Sequence, residues 1–132
     1  MRYLLDTNMV SDSIHNPSGK VAKRIAAEGR ARVCVSIVVA AELRFGVTKR
    51  RSRSLMTRIE EILEFIPIVP FAELADQYYG HIRAELERAG QPIGANDLLI
   101  AAHALALDCT LVTDNEREFG RVPALRIENW LR

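Results

Sequence analysis

The chain has 132 residues, 48% of them hydrophobic and 27% charged, with a formal net charge of +1. This length fits one domain with a sizeable core, and no apolar run nears the ~20 residues of a membrane span. The charge balance leaves no overall basic field for nucleic acid, only room for a local patch.

Residues 2–5 form a short apolar run and predict a first strand, followed by Asp6-Thr7-Asn8 as capping side chains for a helix over about 8–14. Ser18 is expected to cap a second helix, which Gly29 stops. Val33–Val35 reads as a second strand, and Ser36 as the cap of the helix IVVAAELRFGV. Lys49–Arg58 is polar and basic, and MTRIEEILEF continues as an amphipathic helix. Ile68-Val69, held between Pro67 and Pro70, predicts a short edge strand. Residues 71–88 carry helical spacing, with Leu74, Tyr78, Ile82 and Leu86 on one stripe. After a break at 89–92 come an apolar helix over 95–107, a strand at 110–112, a helical turn at 115–119 and a last strand at 125–127. Strands alternate with helices throughout. The expected fold class is therefore α/β, a short and mostly parallel sheet covered by helices on both faces, in a single domain over 1–132.

Four acids sit where strand passes to helix or on an apolar helix face. Asp6 follows the first strand, where it either caps a helix or faces the ligand edge of an α/β sheet. Glu42 lies mid-helix among Val38, Val39, Phe45 and Gly46, and a carboxylate on that face needs a partner: an arginine, a metal or a catalytic role. Asp97 opens the apolar helix, where the helix dipole favours an acid, and its face continues through Ile100, Ala101 and Ala104. Asp114 ends a strand inside Thr113-Asp114-Asn115-Glu116, and Thr113 with Glu116 has the form of a capping box.

Gathered in one cleft, these acids would repel one another unless a cation joined them. Oxygen-only ligands suit hard cations, Mg²⁺ or alternatively Mn²⁺. Such ions can clamp the attacking and leaving oxygens of a displacement at phosphorus. Thr7, Asn8, Thr113 and Asn115 are candidates to orient water or phosphate, with helix capping as their plainer role. Arg44, Lys49, Arg50 and Arg51 belong to a basic stretch that either contacts RNA phosphates or forms a solvated helix junction.

The segments LLDTN (4–8), SIVVAAELRFGV (36–47), GQPIGANDLLIAAHAL (90–105) and LVTDNEREFGRVPALRIENW (111–130) resemble the PIN-domain ribonucleases, most closely the VapC toxins of bacterial toxin–antitoxin pairs. The likeness spans nearly the whole chain in the expected order. It implies a three-layer PIN-like fold and a Mg²⁺-dependent endoribonuclease acting on structured RNA such as tRNA or rRNA. It also implies a homodimer, and inhibition by a small antitoxin whose C-terminal segment covers the cleft. The family's acids carry over to Asp6, Glu42 and Asp97. Its Thr-any-Asp pattern puts the fourth position at Asn115, whereas charge favours the neighbouring Asp114, which is taken as the expected ligand.

The expected metal ligands are thus Asp6, Asp97 and Asp114, with Glu42 completing the catalytic set. The opening MRYLLDTN has no signal-peptide pattern and points to a cytoplasmic protein. Cys34 and Cys109 read as buried thiols rather than a disulfide, and His103 as a core histidine. The rival readings are a non-catalytic module whose acids only cap helices, and a different metal-dependent phosphoesterase.

Overall fold

The computed structural model describes residues 2–132. The elements follow in order: β1 (Tyr3–Leu5), α1 (Thr7–His15), α2 (Lys20–Glu28), β2 (Val33–Ser36), α3 (Ile37–Arg50), α4 (Arg53–Phe65), β3 (Ile68–Val69), α5 (Ala75–Arg88), α6 (Ala95–Ala106), β4 (Thr110–Val112), α7 (Glu116–Phe119) and β5 (Ile127–Glu128). The five strands form one sheet in the order β3-β2-β1-β4-β5. Every pairing is parallel, with Tyr3 opposite both Val33 and Thr110, and Leu5 opposite Val112.

This order has a consequence for function. The chain steps outward from β1 to β2 to β3, then crosses back to β4 and steps outward again to β5. Right-handed crossovers therefore put α1–α4 over one face and α5–α7 over the other. Between the carboxyl ends of β1 and β4 the connections leave in opposite directions, which opens a crevice there. Asp6 follows β1 and Thr113-Asp114 follows β4, so both flank it.

The strands are apolar because they are buried on both faces: all residues of β1, β2 and β4 are buried, and most are Val or Leu. The core continues into α1 through Met9 and Val10, into α3 through Val39 and Leu43, and into α6 through Ile100, Ala101 and Ala104. Cys34 and Cys109 are buried thiols, with no disulfide among the described residues. His103 is also buried, sharing a hydrogen bond between its Nδ1 and Ser36 Oγ (2.8 Å) and meeting Phe71 edge-on. Trp130 packs edge-to-face on Tyr3, with ring centroids 5.0 Å apart.

The structure moves some expected boundaries. The second helix is capped by Gly19, without a side-chain bond, rather than by Ser18. Helix α5 begins at Ala75 instead of 71, because Leu74 sits at φ 78, a left-handed conformation that interrupts a helix. The last strand is Ile127–Glu128, set back by the turn at Ala124, whose φ is 67.

Candidate active site

The first acid is fixed by backbone geometry. Asp6 caps α1 in an extended conformation, and its Oδ1 accepts the Thr7 N–H at 2.8 Å. Its Oδ2 accepts the Thr113 hydroxyl at 2.8 Å and the Asn8 amide at 3.2 Å. The side chain is 4% exposed. Burial raises its pKa above the ordinary value, donors from Thr113, Thr7 and Asn8 work against this, and the nearby Glu42 charge adds to it. The capping reading of Asp6 therefore holds, and its second carboxylate oxygen faces Thr113 and Asn8.

Glu42 has no arginine partner among the described residues. Its Oε1 accepts the Thr7 hydroxyl at 2.7 Å and its Oε2 accepts the Asn96 amide at 3.3 Å. The supposed apolar face divides: Val39 is buried, while Phe45 is 68% exposed. Glu42 stands on the border, reaching across from α3 to the starts of α1 and α6.

Asp97 lies in the first turn of α6, half-buried and beside other acids. Its pKa is pushed up to about 7, first by burial and then by the charges of Glu118 and Asp6. It shares a hydrogen bond with Glu118. Glu118 in turn accepts the Gly94 N–H at 2.6 Å and the Asn115 amide at 3.0 Å, and those donors hold its pKa below the ordinary carboxylate value. Burial and nearby charge thus shift Asp97 toward protonation, and its donors shift Glu118 toward ionisation.

Asp114 differs from the other three. It is exposed, and its Oδ1 accepts the Asn129 amide at 3.0 Å. Its own N–H donates to Asn8 Oδ1 at 3.2 Å. The expected capping box does not form. The Thr113 hydroxyl accepts the Asn115 N–H at 3.0 Å and donates to Asp6, while Glu116 turns to Asn129 and Arg132. Asn115 caps α7 through its position, and its side chain serves Glu118.

These residues line one open cleft of about 570 Å³, bordered by Asp6, Thr7, Asn8, Glu42, Asp97, Asp114 and Asn115. No lysine or arginine lines it. Among the described residues, no three acidic, histidine or cysteine side chains already stand close enough to cage an ion. Hydroxyl and amide donors hold the carboxylates instead. An oxygen-only donor set fits a hard divalent ion, which would take the place of those weaker partners.

Glu118 is the residue that sequence reasoning missed. It lay inside the segment REF of the matched stretch, with its own signal: an acid three residues beyond Asn115, one helical turn away. The basic stretch lies elsewhere. Arg44 pairs with Glu60, Lys49 lies over the Phe45 ring, and Arg51 ends α3 at φ 54. Arg50 borders a neighbouring apolar groove with Ile14, Leu43, Val47, Leu55 and Ile59, which meets the cleft at Thr7 and Glu42.

The comparisons with known proteins agree with this fold. The PIN domain model matches residues 3–125. Ribonuclease VapC2 of Rickettsia felis is 39% identical, covering 98% of both chains. The tRNA(fMet)-specific endonuclease VapC of Shigella flexneri is 36% identical, again over 98% of each. The crystal structure of VapBC2 from Rickettsia felis bound to a DNA fragment from their promoter superimposes with a TM-score of 0.90 at 37% identity, covering 98% of this chain and 99% of that one. Switch-point placement, the convergent carboxylates and these likenesses lead to one statement: the chain belongs to the PIN-domain family, among its VapC ribonucleases.

Proposed function

We propose that this chain is the toxin of a toxin–antitoxin pair and hydrolyses phosphodiester bonds of structured RNA, tRNA or rRNA, with Mg²⁺ as its cation and Mn²⁺ as a substitute. The observation that carries this reading is the convergence of Asp6, Glu42, Asp97 and Glu118 at the switch point of a parallel sheet, with no cation lining the cleft. The Shigella relative's name supports tRNA as the substrate class. PIN-domain nucleases as a group depend on metal.

Asp6 and Asp97 would hold the cation, Glu42 would stand beside it, and Glu118 supports Asp97. Asp114 stands at the rim and contacts substrate or solvent. A bound divalent ion supplies charge neutralisation at the scissile phosphate and eases ionisation of the attacking water. The chain's own groups do the rest. Thr113 fixes the Asp6 carboxylate, and Thr7 and Asn96 fix Glu42. Asn8 and Asn115 face the cleft beside them and are suited to orient phosphate or water.

The apolar groove beside Glu42 supports binding of an amphipathic antitoxin segment, a mode in which apolar anchors enter a groove. The solved VapBC complexes of relatives favour such a partner. We read the whole chain as one cytoplasmic domain, acting as a homodimer and stored with its antitoxin. No described helix is long and apolar enough to cross a membrane.

A substrate panel tests the reading. Purified protein with Mg²⁺ is expected to cut bulk tRNA or rRNA and to leave duplex DNA and phosphomonoesters intact. Cleavage must vanish with chelator and in Asp6→Asn. Cutting by Asp6→Asn at the wild-type rate would overturn the site.

A further inference from the structure

Two surfaces lead away from the acidic cleft, and only one suits a polyanion. The apolar groove between α1, α3 and α4 offers a single cation, Arg50, and dehydrating a phosphate backbone against aliphatic side chains is costly. On the other side the cleft passes over His15, Asn16 and Leu131 into a second hollow that reaches Lys20. Lys20 then borders a third hollow of about 550 Å³ with Lys23, Arg24 and Arg132, facing one carboxylate, Glu128. Adjacent hollows share lining residues, His15, Asn16 and Leu131 between the first two and Lys20 between the last two, so together they trace one path over the surface. Asp12, the carboxylate along the turn, is already engaged by the Asn16 amide at 2.9 Å.

The cations of this channel differ in their commitments. Arg24 binds Glu28 at 3.0 Å and lies 4.6 Å over the Trp130 ring. Arg132 binds Glu116 at 2.8 Å. Lys20 and Lys23 are exposed and, among the described residues, enter no ion pair. They are one helical turn apart on α2, so both ammonium groups sit on one side of the channel. In the basic stretch of α3–α4, Arg44 is paired with Glu60, while Lys49 and Arg51 enter no ion pair among the described residues but line neither the cleft nor these hollows.

Resting on the ribonuclease reading, we propose that the RNA backbone runs from the acidic cleft across the Asn16–Lys20 turn onto this groove, where Lys20 and Lys23 bind its phosphates. Long-range attraction by the groove offsets the repulsion an RNA meets at the acids. The two lysines are binding residues outside the reacting centre.

The test uses the full chain. In the Asp6→Asn background, binding to bulk tRNA is titrated over a range of salt. Lys20→Ala/Lys23→Ala is expected to weaken binding and lower the log–log salt slope by about one per lysine. In the otherwise wild-type enzyme the same pair raises KM several-fold and leaves kcat in place. Arg30→Ala/Arg88→Ala, two exposed cations away from the channel, serves as the charge-matched control and keeps the parent's slope. A lysine pair that binds like its parent overturns the groove, as does loss of binding in Lys49→Ala/Arg51→Ala alone. Wild-type protein that cuts no RNA with Mg²⁺ or Mn²⁺ overturns the ribonuclease reading itself. Wild-type cutting with an indifferent lysine pair overturns the groove alone.

Discussion

Asp6 and Asp114 follow adjacent parallel strands, yet one forms the floor of the cleft and the other its rim. Asp6 comes directly after β1, is buried, and uses both carboxylate oxygens on Thr7, Asn8 and Thr113. Asp114 comes two residues after β4, is exposed, and has one amide contact, from Asn129. A shift of one residue past the sheet edge separates a carboxylate whose geometry is over-determined from one that solvent can reorient. Position relative to the strand end, rather than charge, decides which acid is preorganised.

The comparison is most easily broken at its floor. Asp6→Asn is expected to lower kcat/KM for RNA by more than ~100-fold, measured in steady state against wild type. Thr113→Val keeps the shape but removes the hydroxyl that fixes Asp6. It should weaken cation affinity by roughly 10–100-fold, read by calorimetric titration of Mn²⁺. Glu118→Gln should cost roughly tenfold in the same titration, because it leaves Asp97 without its charged acceptor. At the rim, Asp114→Asn should change kcat/KM by no more than about threefold, since the amide keeps an oxygen toward Asn129. A loss at Asp114 as large as that at Asp6 would erase the distinction between floor and rim.

The pH dependence of the metal-free protein sharpens the same contrast. Asp97 binds its proton up to about pH 7 when folded, against an ordinary value of 3.8. Between these values the folded state holds more protons than the unfolded one. Its stabilising share is therefore complete below pH 3.8 and is lost as pH rises through about 7. With chelator present, the melting temperature of wild type should fall as pH rises from about 4 to 7, and that of Asp97→Asn should fall less. Equal slopes would mean that Asp97 carries no raised proton affinity.

Much of this was legible in the chain itself. Short apolar runs marked β1, β2 and β4 because a strand buried on both faces has no polar alternation to hide it. Pro67 and Pro70 marked β3 as an edge, and it lies at one. The missing parts depend on tertiary contacts. The Thr113-to-Glu116 spacing matched a capping box, but the Thr113 hydroxyl found Asp6, 107 residues away in sequence. Glu118 sits on a helix of four residues, too short to show a periodicity, and its carboxylate is placed by Gly94 and Asn115. The basic stretch 44–58 drew attention by density of charge, although charge density does not show which cations border the cleft. Leu74 gave no warning of its left-handed backbone, since a leucine there reads as an ordinary member of a helical stripe.

The sheet's two borders carry a consequence for assembly. β3 and β5 are each two residues long, and β3 lies between prolines. Neither border offers enough unpaired backbone to template an added strand, and Pro70 lacks the amide hydrogen such pairing would require. Strand addition is thereby closed at both margins. Other chains must dock on helices and hollows, and a protein made to be stored beside a partner gains protection against edge-to-edge aggregation while it waits.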